Sequence, residues 1–146
     1  MPTTLIEHKI DEIKNIVDKK FENTSYKCSV YSENGNIYVS ISHLDDYRKY
    51  MIFKLSEFEG CCAILISYNT YISEALRGKG YARLLMYLKK EIARLLGYSY
   101  LICTTLKNNS VEKQVLKRTG WKKIKNLYNS RTGNHLEMYM CDVKES

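Results

Sequence analysis

The sequence predicts an α/β protein in which a central mixed sheet is flanked by helices, and three stretches carry that expectation. Near the N-terminus Ile6, Ile10, Ile13 and Val17 recur at spacings of three and four, as one stripe of an amphipathic helix does. Asn34-Gly35 sits between two runs of alternating apolar and polar residues, the strongest short signal for a β-hairpin. Residues 61–105 then read as strand, Gly-containing turn, helix and strand. That order makes a right-handed crossover, so its two strands run parallel and close together.

Taken in order, a helix spans about 4–21, with Thr4 and Glu7 spaced as a capping box. The hairpin covers 25–42, and a third strand covers 47–55. Gly60 turns the chain into a long strand over 61–73. Its first half, CCAILI, is almost continuously apolar, which predicts a central strand covered on both faces. The next helix runs to about residue 96, burying Leu85, Leu88, Ile92 and Leu95, and Gly97 ends it. A buried strand follows over 98–105. Asn109 caps a short helix with Glu112 as its reciprocal partner, and Gly120 stops that helix after Thr119. A last hairpin pairs 121–128 with 135–143 around a polar tip. No repeat, linker or boundary interrupts the chain, so 1–146 reads as one domain of a size that holds a real core.

Composition narrows the class. No apolar run approaches the roughly 18 residues that cross a bilayer, so no membrane partner is expected. The first ten residues lack a charged-then-apolar leader pattern. The five cysteines, Cys28, Cys61, Cys62, Cys103 and Cys141, are odd in number and contain no CxxC. Such usage suits buried, reduced thiols and a cytoplasmic protein. His8, His43 and His135 have no ligand spacing, so no metal is expected. The formal net charge of +7 favours an anionic partner: a polyphosphate cofactor, nucleic acid or an acidic substrate. The thirteen tyrosines belong mostly to strand faces, where an apolar ring with a polar tip fits, and some suit a substrate groove.

The stretch with the most chemistry is 72–85, ISEALRGKGYARLL. A turn from strand to helix leaves backbone N–H groups free at the positive end of the helix dipole, which is an anion site. Gly78 and Gly80 let phosphates approach the main chain, and Arg77, Lys79 and Arg83 add positive charge. Neither the GxxxxGK(S/T) nor the GxGxxG pattern is present. The bare reading is a diphosphate loop; an ordinary basic strand–helix turn has the same composition.

What is present is Arg77, two residues, Gly80, one residue and Ala82, directly after a strand. That resembles the signature of the Gcn5-related N-acetyltransferase (GNAT) family: Gln or Arg, two residues, Gly, one residue, Gly or Ala. Asn109 followed by Gly120-Trp121 eleven residues later resembles the family's second motif. Both motifs stand in the right order, and the resemblance covers 60–143 well and the N-terminal part by element order only. It implies the acyl-CoA N-acyltransferase fold and acetyl-CoA as co-substrate. It further implies direct transfer of acetyl from the thioester to an amine, with no covalent enzyme intermediate. The loop from Arg77 through Gly78, Lys79, Gly80, Tyr81 and Ala82 to Arg83 would surround the pyrophosphate. The two parallel strands would splay, and the main chain of Tyr71 and Ile72 would pair with the pantetheine arm. An N–H near Ile72 would stabilise the oxyanion. Asn109 would face the pantetheine or the thioester, or serve only as a cap.

The chain departs from the family where proton transfer is concerned. The resemblance places a glutamate base eleven residues before Arg77, where Ile66 stands, and a tyrosine acid seven residues after Asn109, where Leu116 stands. Tyr68 shares a strand face with Ile66 and either relays a proton through water or packs. Tyr128 and His135 are alternatives on the last hairpin, and Cys103 reads as core. The acceptor amine could belong to a small molecule, a protein or an aminoacyl-tRNA. The positive charge favours the tRNA and disfavours very cationic amines such as polyamines. A second copy of the chain, forming a homodimer, is a further candidate partner. The missing glutamate and tyrosine keep open a CoA-binding module without turnover, and the basic loop keeps open a nucleic-acid-binding protein.

Overall fold

The computed structural model describes residues 5–144, apart from the side chain of Asn69. Thr4, the first member of the expected capping box, lies outside them. The elements are helix α1 (Leu5–Lys20), strands β1 (Tyr26–Glu33), β2 (Asn36–His43), β3 (Tyr50–Phe58) and β4 (Cys61–Ile72), a short 3₁₀ turn (Glu74–Leu76), helix α2 (Tyr81–Leu95), strand β5 (Tyr100–Leu106), helix α3 (Ser110–Arg118), and strands β6 (Lys122–Asn129) and β7 (Asn134–Asp142). The seven strands form one sheet in the order β1-β2-β3-β4-β5-β7-β6. β4 and β5 run parallel, as the crossover requires, and the other neighbours are antiparallel.

Local chemistry sets the turns. Asn34 and Gly35 both have positive φ, 51° and 77°, as the two central residues of a type I′ hairpin turn must. Both crossover helices, α2 and α3, end on a glycine with positive φ and the paired bonds of a Schellman motif. At α2 the Tyr98 N–H donates to Ala93 O (3.0 Å) and the Gly97 N–H to Arg94 O (3.1 Å). At α3 the Trp121 N–H donates to Leu116 O (2.9 Å) and the Gly120 N–H to Lys117 O (3.3 Å). β3 starts and ends three residues later than the sequence suggests. Asp46 explains the late start, because its carboxylate accepts from the Arg48 N–H (3.1 Å) and Nε (3.0 Å) and holds residues 46–48 in a turn.

The core lies on one face of the sheet. Ile6, Ile13 and Val17 of α1 and Leu85, Leu88 and Ile92 of α2 pack there with Ile37, Val39, Ile41, Met51, Phe53, Leu55, Leu65, Leu101 and Tyr139. Those strand residues share one parity, and Leu116 of α3 joins the same core, so all three helices cover the same side. The opposite parity carries Tyr31, Ile52, Tyr68, Tyr71 and Tyr100, all exposed. The expectation that CCAILI is covered on both faces therefore fails: Leu65 is fully buried, Ile64 and Ile66 are half-buried and Cys62 is exposed. No described helix lies over that side, and only neighbouring strand side chains shield it. Leu95, expected in the core, is half-buried, and Leu96 is the buried residue at that end of α2.

Candidate functional site

β4 and β5 are hydrogen-bonded neighbours over a short stretch only. Ile64 pairs with Tyr100, Leu65 with Leu101 and Ile66 with Ile102, and there the pairing stops. β4 continues to Ile72 and β5 to Leu106, so the strands part into a fork that opens toward the loop. A bulge marks the departure. Between the pairs Lys54–Tyr68 and Ile52–Tyr71, β3 has one residue and β4 has two, Asn69 and Thr70. Main-chain groups along the inner edges of the fork have no strand partner. Buried, they would be costly; open, they are ready for a ligand.

The open end leads onto the N-terminus of α2. Leu76 is buried and pins the loop. Gly78 and Gly80 take positive φ, 76° and 85°, and a Cβ on either would meet nothing within 4 Å. Gly80 is the N-cap residue and no side chain caps the helix. The N–H groups of its first turn, which includes Tyr81, Ala82 and Arg83, thus form an uncapped, unobstructed cradle. Lys79 and Arg83 are exposed beside it. The ring of Tyr81 turns away and packs edge-on against Tyr26, with centroids 6.1 Å apart.

Two of the residues expected at the cofactor are placed differently from the sequence reading. The Arg77 guanidinium folds back onto β4: its Nε donates to the Ile72 carbonyl (3.0 Å), and its plane lies 5.5 Å over the Tyr71 ring. The Ser73 N–H donates to Tyr50 O on β3 (2.9 Å). Consecutive strand residues turn their main-chain groups to opposite edges. The Ile72 N–H and C=O therefore face the fork, whereas those of Tyr71 face β3. Tyr71 offers its ring, 5.7 Å from that of Tyr50, and not its backbone.

Asn109 acts as a cap. Its Oδ1 accepts from the Glu112 N–H (3.2 Å), and its Nδ2 donates to Glu112 Oε2 (3.0 Å). Glu112 also accepts from Thr105 Oγ1 (2.8 Å), so it ties the cap to β5. The reciprocal bond of a capping box would go to the Asn109 N–H, but that group donates to Leu106 O instead. Ile66 is the last β4 residue paired at the fork, and Leu116 is fully buried in the core. Tyr68 lies two residues past Ile66 on the exposed face, with Lys54 Nζ 4.8 Å over its ring. Tyr128 is not brought to it. It sits on the outer strand β6, its ring 5.0 Å from that of His135, two strand spacings or about 10 Å from β5.

One residue at the fork escaped the sequence reading altogether. Lys89, on the inner face of α2, is 1% exposed, and its Nζ donates to Thr70 Oγ1 in the bulge (2.6 Å). Burial holds its pKa down to about 8, against the pull of Cys103 and Glu112. Cys103, across the fork on β5, is pushed up to about 12 by burial, opposed by Lys89. That thiol stays protonated at neutral pH and is no nucleophile. Among the described residues no group of three or more His, Cys, Asp or Glu is arranged for a metal, and no helix is long and apolar enough to cross a membrane.

No protein-family model matches the sequence, and no curated protein matches it. Solved structures do match the fold. A GNAT family acetyltransferase from Elizabethkingia anophelis with acetyl-CoA bound aligns with a TM-score of 0.69 at 7% identity, over 81% of this chain and 98% of that one. An IAA acetyltransferase from Bacillus cereus gives 0.69 at 13% identity, over 81% and 99%. The spermidine N-acetyltransferase of Vibrio cholerae in complex with CoA and spermine gives 0.65 at 13% identity, over 92% and 76%. The chain thus has the fold of the GNAT acetyltransferases, as the two sequence motifs anticipate.

Proposed function

We propose that this protein is an acetyl-CoA-dependent N-acetyltransferase that moves acetyl directly from the CoA thioester to a primary amine. One observation carries the reading: a fork between β4 and β5 that leads onto an uncapped, glycine-lined helix N-terminus. A phosphate-tailed, amide-containing thread is the ligand such a shape suits. The pyrophosphate would lie against Gly78, Lys79, Gly80, Tyr81, Ala82 and Arg83, with Arg77 at the rim. The pantetheine amides would pair with Ile72, and an N–H late in β4 would receive the developing oxyanion. Asn109 supports the cleft by holding the start of α3.

The acceptor is read as an amine of a small molecule, a protein or an aminoacyl-tRNA. The spermidine enzyme among the structural neighbours keeps polyamines among the acceptors to test. The net charge of +7 argues against them here. Tyr68, close to the fork, is the better placed of the two tyrosines for proton relay through water, and Tyr128 the worse. We read 1–146 as one acyltransferase domain, and its five free thiols suit a reducing cytoplasm. A CoA-binding module without turnover is favoured by Ile66 and Leu116, which cannot carry protons.

Thermal denaturation with acetyl-CoA is expected to raise Tm, and thiol release is expected with at least one member of a panel of amines, peptides and charged tRNA. Binding without release from any acceptor would select the module. No Tm shift at millimolar acetyl-CoA would end both readings.

A further inference from the structure

We propose that Lys89 is the acid of the transfer step: its buried ammonium, bonded to Thr70 on the stretch of β4 that has left β5, gives its proton to the CoA sulfur as the thioester breaks. This rests on the transferase reading above. The first support is an unspent hydrogen-bonding capacity. Lys89 has three donors and one hydrogen bond, to Thr70, and its Nζ lies 5.4 Å over the Phe53 ring. No carboxylate oxygen among the described residues lies within 4.0 Å of it. A buried charge with so little compensation is expensive, and an apolar residue would fill the same space at lower cost. The adjacent Lys90 makes the contrast. It is equally buried, but it donates to the Thr119 carbonyl at the end of α3, a structural task. Lys89 closes no such end; its one bond goes to Thr70, four residues beyond the last β4 residue paired with β5.

The second support is length. Lys89 is nine residues beyond Gly80, or roughly 14 Å of helix. An extended pantetheine arm has about the backbone of four extended residues, also roughly 14 Å. With its diphosphate on the α2 N-terminus, CoA would bring its sulfur to the level of Lys89.

The third support is chemistry. Among Ser67, Thr70, Cys103 and Lys89, only the lysine titrates near neutrality. The titratable groups acting on it are Cys103 from β5 and Glu112 from α3, both raising its pKa, while burial lowers it to about 8. A group with both forms accessible can give a proton and regain it. In the step, the acceptor nitrogen forms the C–N bond, the C–S bond breaks, and its electron pair goes to sulfur. Sulfur takes the Lys89 proton, leaving a neutral amine. The proton shed by the acceptor nitrogen passes to water, and solvent restores the ammonium.

The test uses Lys89→Met, with Lys89→Gln as a second uncharged variant should the first fold poorly. Acetyl-CoA is first checked for a Tm shift in each protein; its absence in the wild type would sink the transferase reading as well. CoA is then bound and its thiol titrated by thiolate ultraviolet absorbance, which needs no known acceptor. Wild type is expected to hold the bound thiol below the pKa of free CoA, and K89M to return it to that value or above. With an acceptor, K89M should lower kcat on the order of 10²–10⁴-fold and lose the alkaline fall near pH 8. A donor whose thiol is more acidic should recover most of the loss. Variants that bind acetyl-CoA yet keep the wild-type thiol pKa and pH profile would overturn the proposal and reduce Lys89 to packing.

Discussion

The two edges of β5 meet different fates. Toward β7 it is paired from Tyr100 with Asp142 through Leu106 with Leu136. Toward β4 the same strand is paired from Tyr100 to Ile102 and no further. The difference lies in the partners. β7 stays in register with β5, while β4 takes a bulge at 69–70 and is held to β3 at its end by the Ser73–Tyr50 bonds. A sheet that forgoes ladder bonds on one edge of a buried strand leaves polar backbone for something else to satisfy. That withheld pairing points to a ligand more firmly than the charge of the nearby loop, since basic turns are common and forks are not.

Several changes separate the two edges. Leu101 is fully buried and pairs with Leu65 on one side and Cys141 on the other, so it secures both. Leu101→Ala should cost roughly 2–5 kcal/mol in urea denaturation, and acetyl-CoA should still raise the midpoint. Gly80→Asp attacks the fork alone. It puts a carboxylate and a Cβ where φ is 85° and the cradle is open. Acetyl-CoA affinity should fall roughly a hundredfold or more, about 2.8 kcal/mol. Gly133→Asp, with a similar φ of 75° at the far hairpin tip, should bind normally by the same titration.

A third change is in pH. Lys89 binds its proton less tightly folded than unfolded, so the unfolded chain holds more protons between about pH 8 and the ordinary 10.5. Stability should therefore gain from this group as pH rises through that window, by up to about 1.4 kcal/mol per unit. K89M should flatten that part of the curve in denaturant titrations against pH. The smallest effect is expected from Asn109→Ala. Loss of the cap should cost about 1 kcal/mol and leave acetyl-CoA affinity unchanged in calorimetry. A matching loss of affinity would move Asn109 from the helix end into the cofactor site.

What the sequence discloses is what short-range chemistry decides. Asn34-Gly35, Gly97 and Gly120 each demand positive φ within a few residues, and each turn stands where the residues put it. The loop motif is legible for the same reason: glycines and strand end are contiguous. Placement of long side chains is not legible, because it depends on what the fold brings opposite. Arg77 finds the Ile72 carbonyl only after the 3₁₀ turn reverses the chain. Nothing in the sequence sets Lys89 apart from the other cations of its helix, Arg83, Lys90 and Arg94, until α2 lies down across the bulge. CCAILI misleads differently. An apolar run implies two covered faces, yet the helices all choose one side.

The outer strand β6 carries Lys122, Lys123 and Lys125, all exposed. A sheet margin of this kind would otherwise recruit any loose strand, its own kind included. Here a newcomer must first strip water from a row of ammonium groups while meeting their repulsion. Strand addition at this margin is thereby disfavoured.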